Sequence, residues 1–192
     1  MINHFSLNSL ALSLNNVSQF LFIITTKDKT CFRLNSFNFS LMNSLLSQLE
    51  KIASYFPKYK NTNEEVSKVP VAWHLDHCLR VINSISRALE QSDPEKFDWN
   101  FNFWRIVFFS TKHIPRGRGK SPAQVKPNED ITLEELTKHL AFARENIKTL
   151  NSLPKKANFP HPYFGQLNLS QSIKFIRIHT KHHLKIIEDI LK

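Results

Sequence analysis

The stretch "IKFIRIHTKHHLKIIEDIL", residues 173–191, decides the fold class. Its Ile176, His179, His183, Ile186 and Ile190 recur at spacings of three, four, three and four. Side chains so spaced share one stripe of an α-helix. Isoleucines on that stripe belong in a core, so the stripe carries His179 and His183 inward with them. A buried imidazole needs a partner for each ring nitrogen, because an unsatisfied buried polar group costs about 1–3 kcal/mol. Two imidazoles one helical turn apart can converge on one metal ion. The residues leave two alternatives open: a core pair hydrogen-bonded to each other, or a partly exposed face. His182, one step round the helix, falls at the edge of the stripe.

Working back along the chain, helical periods continue. Ser170 is the expected N-cap of the last helix, preceded by the proline-rich connection "LPKKANFPHPYFGQLN" at 153–168. Thr132 and Glu135 form a capping-box pair that opens a helix carrying Leu136, Leu140, Ala143, Ile147 and Leu150 inward. Pro70 opens another, with Val71, Leu75, Cys78, Ile82, Ile85 and Leu89 on one face and Ser92-Asp93-Pro94 as its stop. Leu41, Leu45, Leu49, Ile52 and Phe56 mark a first helix that Pro57 ends. "FNFWRIVFFS", 101–110, is apolar on most sides and reads as a short buried helix. Four long amphipathic helices, one short aromatic helix and no alternating strand predict an all-α bundle.

Length and composition bound the rest. A chain of 192 residues suits one domain. Residues 1–41 are rich in Asn, Ser, Phe and Leu, nearly uncharged and without a sustained period. They are expected to form a loosely ordered leader or to reflect an upstream start choice, with the folded domain over 42–192. The formal net charge is +10, spread over most of the chain. Its one dense run, Lys112, Arg116, Arg118, Lys120 and Lys126, lies in the loop 112–130. An anionic partner such as RNA or an anionic substrate is one reading of that loop, and a solvated loop packed over the bundle is the other. Nucleic acid is not the expected partner. Cys31 and Cys78 form no CxxC pair, which fits a reducing cytoplasm, with Cys78 buried as a small apolar residue. No apolar run approaches the roughly 18 residues of a membrane span, and no export signal is visible.

A second histidine cluster bears on the first. "WHLDHCLRVI", 73–82, places His74 and His77 on the second helix, with His77 beside the apolar stripe at Cys78. A core that received His77 from one helix and His179 with His183 from another would hold three neutral nitrogen ligands and leave coordination positions open. Such a set suits Zn, Ni or Fe. Ring nitrogens able to sit about 4 Å or less from one another could share the ion. Asp76 and Glu188 are candidates to accept from ligand N–H groups, or else face water. His161 either lines a pocket mouth or fixes the turn before the last helix.

The segments "WHLDHCL" (73–79) and "HTKHHLKII" (179–187), in that order and separation, resemble the DinB-like superfamily, also called YfiT-like metal-dependent hydrolases. "HPYFG", 161–165, is similar to a His-Pro-aromatic-Phe-Gly stretch of one subgroup. The resemblance covers roughly residues 42–192. It implies a four-helix bundle of bacterial type, a divalent metal held by His77, His179 and His183, and a small-molecule substrate. His74 is the alternative to His77, and His182 to His183. The implied reaction is hydrolysis or transfer to a low-molecular-weight thiol, and a homodimer is compatible with it. A non-catalytic binding module with structural histidines is the rival expectation.

Overall fold

The computed structural model describes residues 40–117 and 122–192. The expectation for the leader lies outside the described residues up to position 39, as do Cys31, Arg118 and Lys120. Leu41, only 5% exposed, already sits in the core beside Met42, on a helix that runs through both.

The chain is mostly helical. Helix α1 spans 40–54, followed by a 3-10 turn at Phe56–Lys58 around Pro57. Helix α2 (Val71–Gln91) starts after Pro70 and stops at Ser92, where the predicted breaker stands. Helix α3 (Phe103–Thr111) is followed by the long loop, and α4 (Leu133–Leu150) by a β-hairpin of β1 (Asn158–His161) and β2 (Gly165–Asn168). Helix α5 (Leu169–Ile190) closes the chain. The apolar faces of α1, α2, α4 and α5 share one hydrophobic core, in which α2 packs against both α4 and α5. Polar contacts tie α1 to its neighbours: Gln48 Nε2 donates to the Arg177 carbonyl at 3.0 Å, Lys51 pairs with Glu188, and Arg144 pairs with Glu50 at 2.9 Å.

Three expectations are corrected. The connection 153–168 is not structureless: β1 and β2 pair antiparallel, with Asn158 opposite Asn168 and His161 opposite Gly165. Two strands of four residues are too short to display a period of 2, and Pro160 is tolerated because both strands are edges. "HPYFG" is the turn, and Gly165 takes φ +68, a left-handed conformation that suits a residue without Cβ. Secondly, α5 begins two residues before expectation. Asn168, not Ser170, is its N-cap, and Gln171 completes a capping box. Thirdly, α3 is not a buried helix. Among its residues only Arg105 and Phe108 are buried, while Trp104 is 68% exposed and Phe103 and Ile106 also face outward.

Among the described residues, no helix is long and apolar enough to cross a membrane.

Candidate metal centre

Helix α2 crosses the middle of the core and is buried over almost its whole first half, so His74, Asp76 and His77 are all buried despite pointing in different directions. Helix α5 brings His179 and His183 from the facing side. The ring centroids of His77, His179 and His183 form a nearly equilateral triangle, 5.0, 4.9 and 4.6 Å on its edges. One nitrogen from each ring lies within 4.8 Å of the others. That spread is wider than the expected 4 Å. A tetrahedral ion with bonds of about 2.0–2.1 Å holds its ligand atoms roughly 3.3 Å apart, so the rings would have to close by about an ångström or more. Modest rotation about the side-chain torsions covers such a distance.

The surroundings of each ring bear on whether the three fit an ion. His77 Nδ1 lies 2.8 Å from the Val125 carbonyl. A carbonyl only accepts, so Nδ1 carries the proton and the Nε2 lone pair is left free, the state a metal ligand requires. His183 Nδ1 lies 2.9 Å from His74 Nδ1, and His74 Nε2 lies 2.9 Å from Ser67 Oγ. When His183 donates along this chain, its Nε2 is likewise free. His179 Nδ1 is cut off from solvent without a hydrogen-bond partner. The other buried orphans among the described residues, Gln48 Oε1, Ser86 Oγ and Thr180 Oγ1, belong to none of the three rings. A neutral three-nitrogen set with one unpartnered nitrogen fits a divalent ion.

Burial keeps all of these rings uncharged. Desolvation lowers His77 and takes His179 and His183 well below the usual histidine range, and the neighbouring imidazoles push the latter two further down. His74 is lowered to about 4, chiefly by desolvation. Neutral imidazole is the form that binds metal.

The predicted residues therefore divide. His77, His179 and His183 come together. His74 stands behind His183 as its hydrogen-bond partner, and half-buried His182 lies beside the triangle, its ring 5.2 Å from that of His183. Asp76 accepts from Arg80 Nε at 2.5 Å and pairs with His139 Nδ1 at 2.6 Å, while Glu188 pairs with Lys51, so neither carboxylate serves a ligand ring. Cys78 is a buried free thiol whose pKa burial drives upward, hence unreactive. His161 fixes the hairpin turn: its Nδ1 accepts from the backbone N–H groups of Tyr163 and Phe164 at 3.1 and 3.3 Å.

Sequence reading missed Trp73, which stacks on His77 at 4.8 Å, and Phe175, which stacks on His179 at 5.7 Å. Both precede their histidine by four residues, so the i, i+4 rule could have found them. The Val125 carbonyl and Ser67 left no such signal, because both reach the site from connections between the helices, Val125 from a single 3-10 turn at Ala123–Val125. Comparison of the chain with family models, curated proteins and solved structures finds no match.

Proposed function

We propose that this protein is a DinB-like four-helix-bundle protein that binds one divalent ion through His77, His179 and His183 and acts on a small molecule as a metal-dependent hydrolase or thiol-dependent transferase. The observation that carries the reading is the meeting of three neutral imidazoles from two helices at one point of the core. A divalent ion there supplies Lewis acidity, lowering the pKa of a water or thiol that reaches it. The chain's own groups do the rest. Val125 fixes the tautomer of His77, His74 and Ser67 take the outer nitrogen of His183, and the rings of Trp73 and Phe175 hold two ligands in orientation and shield them from water.

The test is elemental analysis of the purified full chain. One ion per chain is expected, and a His179→Ala variant that stays folded should lose it. A parent chain free of metal even after incubation with Zn, Ni and Fe salts would overturn the reading. Substrate screening with and without low-molecular-weight thiols then separates hydrolysis from thiol transfer.

One observation favours a second reading, a non-catalytic module with structural histidines: the His183–His74–Ser67 chain is hydrogen-bonded without any ion. Absence of metal together with salt-sensitive RNA binding would support it.

A further inference from the structure

Beside the histidine triangle the surface opens into a cleft of about 320 Å³. One wall is the loop after α3 and the other is the adjacent face of α5. Lys112, Arg116, Lys181 and Lys185 line it with His113 and His182, over a floor of two isoleucines, and no acidic residue is among the lining. His182, in the cleft wall, is in edge contact with a ring of the metal centre: its centroid lies 5.2 Å from that of His183.

The cations fall into two pairs. Arg116 and Lys185 are anchored by Asp189, at 2.7 and 3.1 Å, with Glu188 3.8 Å from Lys185. Those carboxylates are shared with other cations, Lys192 on Asp189 and Lys51 on Glu188, and so do not neutralise the cleft. Lys112 and Lys181 have no carboxylate partner among the described residues. Lys112 moreover holds a left-handed backbone, φ 52, at the C-cap of α3. A residue with a Cβ pays about 1–2 kcal/mol for that conformation. Where glycine or asparagine would meet the turn more easily, a lysine stands at the cleft.

We propose that this cleft binds the phosphate group of a small-molecule phosphate monoester whose remainder reaches the metal centre. Four side-chain cations around one concavity match a dianion with three equivalent oxygens. The volume is at the low end of small-ligand pockets, roughly 300–1,000 Å³, and the charge is gathered in a hollow rather than drawn out along a stripe as a nucleic-acid strand requires. The assignment of this phosphate to a substrate rests on the metal reading above. Phosphate binding in the cleft does not.

Calorimetric titration of the full chain with inorganic phosphate and with phenyl phosphate, before and after chelator treatment, tests the proposal. Both ligands should bind in both states, more weakly at higher salt. A Lys112→Asn/Lys181→Gln double variant should weaken them by about tenfold or more while the melting temperature stays at or rises above the parent value, asparagine being easier at the left-handed position, and metal content is unchanged. Equal affinity in the variant, no binding to the parent, or binding that vanishes on chelation would overturn it. So would an RNA oligonucleotide that binds at the same residues and is not displaced by phenyl phosphate. A chain that carries no metal but binds phosphate in this way removes the metal reading and leaves the cleft standing.

Discussion

Asp76 illustrates what a single residue can hide. Its position beside His77 suggests a partner for a ligand ring, yet it is only 1% exposed and spends both oxygens elsewhere, on Arg80 within α2 and on His139 of α4. It thereby joins two helices through a buried charged contact. Asp76→Asn should destabilise the fold by about 3 kcal/mol, read from urea unfolding midpoints, because it strips a buried ion pair of its charge and leaves its partners unbalanced. A change below about 1 kcal/mol would mean that water reaches the pair. The inward placement of His179 and His183 was legible, since they share a stripe with Ile176 and Ile186. The choice of His77 over His74 was not. Both rings are buried on α2, and only the Val125 carbonyl on one side and Ser67 on the other separate their roles.

At the scale of elements, local chemistry was a good guide where the signal lies within a few residues. The Thr132–Glu135 capping box is present in full, with the Thr132 side chain accepting from the Glu135 N–H and the Glu135 carboxylate accepting from the Thr132 N–H. Thr132→Ala should cost about 1 kcal/mol, a measurable fall in melting temperature without loss of any ligand. The buried residues of α4 are Leu136, Leu140, Ala143, Ile147 and Leu150, the predicted stripe. The hairpin and the exposure of α3 are less legible in the sequence. Four-residue strands carry too little periodicity to announce themselves. An apolar helix reads as buried whether or not a partner covers it, and here Phe103, Trp104 and Ile106 stay largely exposed. Arg105 and Phe108 are the buried members instead, with Arg105 donating to the carbonyls of Phe164 and Gln166 at 3.3 and 3.1 Å and to that of Asn100. That arginine fastens α3 to the hairpin.

The whole molecule concentrates imidazole where charge is disfavoured, and its stability should follow. His74 and His161 are lowered to about 4, and His77, His179, His182 and His183 are lowered too, mainly by desolvation. An unfolded chain takes up these protons near pH 6.5, so below that pH the unfolded state binds more of them and stability falls as pH falls. The loss should begin near pH 6.5 in chelator-treated protein and, for His74 and His161, level off near pH 4, with about 3 kcal/mol from His74 alone. Glu135 and Glu188, whose carboxyls are lowered by Thr132 and Lys51 respectively, add their losses only below about pH 4.5. Urea midpoints flat between pH 7 and 5 would contradict this. The sequence by itself determined the four long helices, their inward faces and the stripe that turns His179 and His183 to the core, because periodicity and capping act within a few residues. Tertiary structure alone decided that His77 meets that pair, that His74 stands behind it and that Asp76 serves a different helix. Each depends on how far α2 is rotated against α4 and α5, and rotation is fixed by packing across the core rather than by any neighbour in the chain.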